Sequence, residues 1–397
     1  MRLLAQKLSA LIAILSIETE CFCETQPVLT PPELNAWQTT RTNPAFFPIA
    51  VWMQAPSNAA AYRDAGINLY VGLWAGPTDV QLTELHRTGM LVICSLNQLA
   101  LTHPTRSNIF AWMHDDEPDN ARTRGARLGL ASPMPPDSLL ADHRRILAND
   151  STRPVFLNLG QGVAWDNWYG RGTRNRRPED YPDYLLGCDI ASFDIYPTTH
   201  PDLEVRGNLW YVPRGVERLR AWVRDEKPVW NCIETTHCDD PKRKPTPHEV
   251  RAQVWMSLIH GSRGIIYFAH QFEPTFIEAA LLADKEMLAA VKRMNQQITS
   301  LAPALNSSSV TDLVSVASSN PAAPIATMVK EHGGDIFIFA VAMRPLKSEV
   351  RFSIKRLSEN TTVEVIGENR ELHLDSGTFS DSFGEWDVHL YRVRRQP

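Results

Sequence analysis

The sequence predicts an α/β chain in which a (β/α)₈ barrel is followed by a small all-β sandwich. Eight short runs rich in apolar, β-branched and aromatic residues recur between residues 47 and 272, and amphipathic stretches separate them. Strands that are apolar on both faces and alternate with amphipathic helices are typical of a parallel sheet covered by helices. After about residue 305 the helix-like stretches end and short strands with alternating polarity follow.

The number of strands favours a closed barrel over an open sheet. The predicted strand segments are 47–54, 67–74, 90–97, 109–117, 154–162, 189–197, 228–236 and 264–272, and the helix-like segments include 55–66, 79–89, 137–150, 215–226 and 248–262. Eight β/α units over roughly 250 residues have the size of a (β/α)₈ barrel. An open doubly wound sheet more often has fewer strands and a glycine-rich phosphate turn after the first, and no such turn follows Gln54.

The C-terminal region is predicted to form half-buried antiparallel strands. The predicted segments are 309–318, 325–331, 335–343, 349–355, 361–367 and 385–393. Alternating polar and apolar residues indicate sheets with one face in a core and one in solvent. We therefore predict a barrel domain at residues 24–304 and a β-sandwich domain at residues 305–397.

The N-terminus has the features of an export signal. Arg2 and Lys7 precede and border an apolar run at residues 8–17, which is too short to span a bilayer. Cys21 and Cys23 are small enough for the positions that signal peptidases require. We therefore predict a signal peptide at residues 1–23 and a secreted or periplasmic protein, in which a Cys232–Cys238 disulfide is a minor alternative to free thiols.

Composition and charge narrow the range of partners. The formal net charge is −5 over 397 residues, which gives no reason to expect a nucleic acid or an anionic membrane as a partner. The chain has 11 tryptophans, and although most should lie in the core, tryptophan is well suited to stack on the apolar faces of sugar rings. A carbohydrate is the expected partner, with no nucleic acid and no membrane once the signal is removed. The sequence leaves the oligomeric state open.

Acidic, polar and aromatic residues occupy the C-terminal ends of the predicted barrel strands, where barrel enzymes collect their chemistry. Strand four ends in Asp115, Asp116 and Glu117, and strand seven ends in Glu234. Two carboxylates that face each other at about 5–5.5 Å suit the hydrolysis of a glycosidic bond with retention. We therefore predict Glu117 and Glu234 as the catalytic pair. The other candidates, for substrate binding, are Trp74, Asp116, Asn158, Trp165, Trp168, Asp194, Tyr196, His270 and Gln271.

This pattern, over residues 45–300, resembles the clan A glycoside hydrolases. The resemblance rests on DDEPDN at the end of strand four, FDIYP at strand six and WNCIETT at strand seven. It implies that Glu117 is the acid/base, that Glu234 is the nucleophile and that Tyr196 hydrogen-bonds the nucleophile. It also implies retention of anomeric configuration without a cofactor, and it identifies no specific family.

One residue departs from the clan pattern. The clan usually has Asn directly before the acid/base Glu, where its amide contacts the 2-hydroxyl of the sugar, and here that residue is Asp116. The change removes two N–H donors and adds a carboxylate, which is expected to raise the pKa of Glu117 and so to favour a general acid. The contact at the 2-position, or the sugar itself, is therefore expected to differ.

Two other functions stay open at the level of sequence. One is a catalytically silent barrel that binds carbohydrate, because fold does not guarantee activity. The other is a metal-assisted hydrolase that uses His114 with the following acids, although consecutive strand residues point to opposite faces and cannot all reach one ion. The basic run at residues 171–177 is expected to be a solvated loop, and it would favour an acidic sugar if it entered the cleft.

Overall fold

The computed structural model describes residues 35–121, 132–355, 357 and 362–394. The predicted signal peptide at residues 1–23 lies outside this part of the chain. Among the described residues, no helix has the length and apolar character needed to cross a membrane.

Eight parallel strands form a barrel, which confirms the predicted fold class. They are β1 (Ile49–Trp52), β2 (Leu69–Val71), β3 (Leu91–Ser95), β4 (Ile109–Met113), β5 (Val155–Leu159), β6 (Ile190–Phe193), β7 (Asn231–Glu234) and β8 (Ile265–Phe268). Their order in the sheet is β6-β5-β4-β3-β2-β1-β8-β7, and a parallel bridge between Ala191 and Val229 joins the two ends. Each strand lies inside its predicted segment, because each has its own run of buried apolar residues.

Helices cover the outside of the barrel. They are α1 (Ala36–Thr40), α2 (Ala59–Asp64), α3 (Asp79–Arg87), α4 (Gln98–Thr102), α5 (Pro136–Asn149), α6 (Tyr181–Leu185), α7 (Tyr211–Trp222), α8 (Pro247–Ile259), α9 (Ala280–Ala283) and α10 (Lys285–Leu305). Capping boxes begin three of them: Asn35 with Gln38 at α1, Thr78 with Gln81 at α3, and Thr246 with Glu249 at α8. These side chains satisfy the first free backbone N–H groups and so fix where each helix starts.

Aromatic side chains close the N-terminal end of the barrel interior. The ring of Trp230 lies 6.0 Å from that of Phe110 and 5.8 Å from that of Phe156, and all three side chains are buried. This end of the barrel is filled with apolar side chains. The polar residues at the C-terminal ends of the strands lie at the opposite mouth.

Two antiparallel sheets follow α10. Their strands are β9 (Val314–Ser318), β10 (Ile325–His332), β11 (Asp335–Ala342), β12 (Ser348–Ile354), β13 (Thr362–Val365), β14 (Arg370–His373), β15 (Thr378–Phe383) and β16 (Val388–Val393). One sheet has the order β10-β11-β16-β13-β14 and the other β15-β12-β9. The sequence predicted six of these eight strands and missed β14 and β15, which carry too few apolar residues to stand out.

Helix α8 joins the sandwich to the barrel. Trp255 of α8 is fully buried and stacks on Phe339 of β11, with 5.4 Å between the ring centroids. Nearly every residue of α8 is therefore buried, on one side by the barrel and on the other by the sandwich. Cys94, Cys188, Cys232 and Cys238 are buried free thiols, so the structure shows no Cys232–Cys238 disulfide.

Candidate active site

A strained turn places Glu117 at the mouth of the barrel. The chain turns after β4, and the amide of Asn120 donates to the carbonyl of Glu117 over 3.0 Å, with Pro118 at the second position of the turn. The backbone φ of Glu117 is +44°, a conformation that costs a residue with a side chain about 1–3 kcal/mol and that is often found at functional sites. The backbone N–H of Glu117 is fixed by a 3.1 Å hydrogen bond to the carbonyl of Asn158 in β5.

Three carboxyl groups meet next to this turn. Asp116 accepts a 3.0 Å hydrogen bond at Oδ1 from Nδ2 of Asn158. Asp194, directly after β6, shares a hydrogen bond with Glu117, and its own Oδ1 is buried without a partner among the described residues. The structure therefore brings together Glu117, Asp116, Asn158 and Asp194 from three different strand ends.

Burial and mutual repulsion raise the pKa of each acid in this cluster. Burial is the largest cause for Glu117, followed by the charges of Asp194 and Asp116, and its pKa is well above the ordinary value. Burial also raises the pKa of Asp194 to about 7 and that of Asp116 to about 6. Solvent still reaches Asp116, although protein atoms surround it on most sides, as expected in a concave site. The hydrogen bond between Glu117 and Asp194 raises the pKa of Glu117 and lowers that of Asp194, so Glu117 is the donor of this pair.

We expect this cluster to make the protein less stable in mild alkali. The pKa of Asp194 rises from 3.8 to about 7 on folding, so the folded state holds a proton that the unfolded chain releases. Stability from this group is complete below about pH 4 and is lost as the pH rises through about 7. The melting temperature should therefore fall between pH 5 and pH 8, and the fall should be smaller for Asp194→Asn.

Thermal unfolding across this pH range, at constant ionic strength, measures the effect. Asp183→Asn on the exposed side of α6 is the matched control and should keep the wild-type slope. A melting temperature that rises steadily from pH 5 to pH 8 would contradict the assignment of raised pKa values to the cluster.

The loop after β5 holds the carboxylate of Glu117 through Asn120. Nδ2 of Asn120 donates to Oε2 of Glu117 over 2.7 Å, and Nε1 of the half-buried Trp168 donates to Oδ1 of Asn120 over 2.7 Å. Asp119 is fully buried and accepts hydrogen bonds from the amide of Gly160 and the hydroxyl of Tyr181. Trp168 therefore orients the amide that supports Glu117, in addition to any contact with substrate.

Trp165 is buried in the loop after β5, and Arg171 of the basic run reaches Asp119 near the acid cluster, with 4.0 Å between Nε of Arg171 and Oδ2 of Asp119. Trp165 was predicted to contact substrate, but its side chain is buried and its Nε1 donates to Glu204 over 2.8 Å. Arg171 and Arg174 of the basic run both pair with Asp180. The expected solvated loop is therefore found only in part, because Arg174, Arg176 and Arg177 are exposed whereas Arg171 is buried and paired within the protein.

Glu234 ends β7 in a closed hydrogen-bonded setting. Its Oε1 accepts from the amide of Thr198 over 2.6 Å and from Nε2 of Gln253 over 3.5 Å, and its Oε2 accepts from the amide and the hydroxyl of Thr199 over 3.1 and 2.8 Å. The residue is 0% exposed, and burial raises its pKa to about 7 despite these donors. Both oxygens are engaged within the protein, and Glu117 contacts Asp194 instead.

Aromatic rings continue the site toward β8 and β2. The ring of Tyr196 lies 4.8 Å from that of Phe268, which lies 5.1 Å from the ring of His270. Trp74 meets His270 edge to face at 5.9 Å and is 48% exposed. Together with the exposed Phe272, these rings form an aromatic wall that a sugar or another flat group could contact.

The two polar candidates on strand eight are held by the protein. His270 is buried, its Nε2 lies 3.1 Å from both the carbonyl of Met53 and Nε2 of Gln54, and burial lowers its pKa to about 4, so the ring is neutral. Gln271 pairs through its backbone with Ile277 and donates from Nε2 to the carbonyl of Thr275. The ring of His270 is thus fixed in place and packs against the other rings of the aromatic wall.

His114 is directed away from the acid cluster. Its Nδ1 lies 2.9 Å from a carboxylate oxygen of Asp142 on α5, and its Nε2 lies 2.8 Å from the carbonyl of Gly187. Within residues 35–121, 132–355, 357 and 362–394, no group of three or more His, Cys, Asp or Glu side chains is arranged to hold a metal ion. This geometry gives no support to a metal site built on HDDE.

Sequence reasoning missed the residues that surround the two glutamates. These are Asn120 at Glu117 and Thr198, Thr199 and Gln253 at Glu234. In the aromatic wall it missed Phe272 and Phe276. Asn120 could have been predicted, because the sequence Glu-Pro-Asp-Asn is typical of a turn in which the side chain of Asn120 lies next to that of Glu117. For Thr198, Thr199 and Gln253 there was no such signal, because they reach Glu234 from a loop and a helix distant in sequence.

The fold is similar to that of solved glycoside hydrolases. An α-amylase from Geobacillus thermoleovorans, in complex with acarbose, superposes with a TM-score of 0.52 at 10% identity, over 88% of this chain and 99% of that one. An Anoxybacillus α-amylase gives a TM-score of 0.51 at 8% identity, over 89% and 99% of the two chains. The maltogenic α-amylase AmyB from Thermotoga neapolitana gives 0.50 at 9% identity, over 89% and 100%. No protein-family model matches the sequence, and no curated protein matches it. The predicted resemblance to barrel glycoside hydrolases is thus confirmed for the fold, which is a (β/α)₈ barrel with a C-terminal β-sandwich.

Proposed function

We propose that the chain is a glycoside hydrolase that cleaves O-glycosidic bonds of an oligo- or polysaccharide, with Glu117 as the proton donor. The observation that carries the proposal is the state of Glu117. It lies at the mouth of the barrel, its pKa is raised by burial and by the charges of Asp194 and Asp116, and Asn120 fixes its orientation. A general acid with these properties is what departure of a sugar oxygen at neutral pH requires.

Two further features support a carbohydrate substrate. The aromatic wall around Trp74 and Phe272 is exposed next to the acids, and such rings suit the apolar faces of sugars. The solved barrels of similar fold include an α-amylase bound to acarbose. Substrate contacts from Asp116, Asn158 and Trp168 belong to this proposal, because the first two lie in the cluster itself and Trp168 reaches it through Asn120.

The second carboxylate has two candidates. The resemblance assigns the nucleophile to Glu234, but both of its oxygens accept hydrogen bonds and neither is exposed. Asp194 contacts Glu117, and its buried Oδ1 has no hydrogen-bond partner within the described part of the chain. The hydrogen bond between the two groups holds Asp194 closer to Glu117 than the about 5–5.5 Å of a retaining pair. If Asp194 is the nucleophile, the bound substrate therefore separates the two groups, with its glycosidic oxygen at Glu117 and its anomeric carbon at Asp194.

The proposed reaction is a double displacement with retention. The carboxylate attacks the anomeric carbon while Glu117 transfers its proton to the leaving oxygen, so that a glycosyl-enzyme forms and the aglycone departs as an alcohol. Glu117, now ionised, then takes a proton from water, and the resulting attack on the anomeric carbon releases the sugar and restores both groups. Secretion, directed by residues 1–23, is part of the same proposal.

A substrate screen tests the proposal. Purified full-length protein and Glu117→Gln would be assayed on aryl glycosides and a polysaccharide panel, each with and without EDTA. Turnover by the wild type alone, unaffected by EDTA, supports the proposal. Tight binding of a polysaccharide without turnover by either protein would favour the silent barrel, and loss of activity with EDTA would favour a metal-assisted hydrolase.

A further inference from the structure

A cavity of about 460 Å³ lies at the N-terminal end of the barrel, where the barrel meets the sandwich. Val229 and Arg263, which directly precede β7 and β8, line it from the barrel, and Lys330 of β10 lines it from the sandwich. The acid cluster lies at the opposite end of the strands. The cavity is therefore separate from the proposed active site.

The charged side chains that line the cavity are mainly basic. They are Arg220, Lys227, Arg263 and Lys330, against the two acids Asp225 and Glu226. Among the described residues, only Arg220 forms a salt bridge, at 2.7 Å to Asp225. The other three cations are held by backbone carbonyls alone, so the cavity carries an excess of positive charge.

Lys330 is the most deeply placed of these cations. It is 1% exposed, and its Nζ donates to the carbonyl of Ser307 over 2.6 Å. An ammonium group has three N–H donors, so this contact leaves two for other partners. Arg263 donates from one guanidinium nitrogen to the carbonyl of Leu305 over 3.1 Å, which leaves most of its donors available.

The cations of the cavity repel one another. Burial is the main cause that lowers the pKa of Lys330 to about 8, and the charges of Arg263 and Arg220 add to it. The pKa of Arg263 is lowered by burial and then by Arg220. By solvent exposure Lys330 is buried, whereas Arg220 is half-buried and Arg263 is exposed at the rim. Buried charges in proteins are usually paired with an opposite charge, and a bound anion would supply that charge for Lys330.

We propose that this cavity binds a tetrahedral oxyanion, a phosphate or sulfate group, through Lys330, Arg263 and Arg220. Guanidinium groups match the oxygen geometry of such anions, and a lysine ammonium adds a compact charge. The volume of about 460 Å³ falls in the range of small-ligand sites. It therefore has room for a free ion or for the charged group of a phosphorylated sugar.

Ligand-dependent stability of the full chain tests the site. Sodium phosphate or sulfate would replace chloride at constant ionic strength in the low millimolar range, and the melting temperature and the heat of binding would be followed. A ligand that binds only the folded state raises the melting temperature in a saturable way. The wild type and Lys330→Arg should both show this rise, Lys330→Met should lose it, and Lys347→Met, at an exposed site on the sandwich, should match the wild type.

Arg263→Gln covers the case in which Lys330→Met does not fold. Loss of one charge-assisted contact should weaken phosphate binding by about tenfold. A hexose phosphate that saturates at lower concentration than inorganic phosphate would identify the anion as part of a sugar, and the reverse order would identify a free ion. An equal, non-saturating rise in the wild type and the Lys330 or Arg263 variant would overturn the proposal, because it would reflect the general stabilising effect of these salts.

Discussion

Glu117→Gln should reduce kcat on a glycoside with a poor leaving group by about 10²–10⁴-fold, which is the usual contribution of a general acid. Glutamine keeps the shape of the side chain but has no proton to give to the leaving oxygen. Its amide can still contact Asn120 and Asp194, the two neighbours that hold Glu117. The variant should therefore fold, with a KM close to that of the wild type.

The leaving group separates loss of the acid from loss of structure. A dinitrophenyl glycoside departs without protonation, so the first step of Glu117→Gln on this substrate should be almost as fast as in the wild type. Glu179→Gln, at an exposed glutamate in the loop after β5, is the matched control and should behave as the wild type on both substrates. Equal losses for Glu117→Gln on good and poor leaving groups would show that Glu117 does not act as the acid.

The barrel could be predicted because its signals are local. Each strand is a short run of residues that are buried on both faces, as in Val155–Leu159, and the amphipathic stretches between the strands show which face is outside. In the sandwich, the search for short apolar runs did not detect β14 and β15. Arg370–His373 and Thr378–Phe383 contain mainly polar residues, and pairing with neighbouring strands holds them in place.

The site could be predicted in part, because strand ends in a parallel barrel meet at one mouth. This rule placed Glu117, Asp116 and Asp194 at one mouth of the barrel, although they come from strand ends more than 70 residues apart, but it did not predict that Asp194 contacts Glu117. It could not show how each side chain is held. Trp165 and Trp168 lie three residues apart in one loop, yet the first is buried against Glu204 and the second supports Asn120.

For Glu234, the hydrogen bonds that the sequence could not predict bear directly on the mechanism. The sequence pattern shows that Glu234 ends strand seven. Whether its carboxylate is free to react depends on its hydrogen bonds with Thr198, Thr199 and Gln253 of α8, which the pattern does not show. A nucleophile needs one oxygen that can approach the anomeric carbon. Oδ1 of Asp194 is buried as well, but it accepts no hydrogen bond from the described residues, whereas both oxygens of Glu234 do. Asp194 therefore has fewer contacts to break before it can attack.

We therefore expect Asp194→Asn to reduce kcat by about 10³-fold or more, since covalent catalysis by a carboxylate accounts for losses of this size in hydrolases. Glu234→Gln should act mainly on stability, because it leaves a buried amide N–H facing the donors at Thr198 and Thr199, and an unsatisfied buried polar group costs about 1–3 kcal/mol. Kinetics and thermal unfolding of the two variants, measured in parallel, give this comparison.

Azide rescue of the alanine variants decides between the two carboxylates. A small anion can occupy the space left by a missing nucleophile, attack the anomeric carbon and give a glycosyl azide of inverted configuration. We expect this product from Asp194→Ala and none from Glu234→Ala. Rescue of Glu234→Ala alone would assign the attack to Glu234, and the loop at Thr198 and Thr199 would then have to release one oxygen of Glu234 when substrate binds.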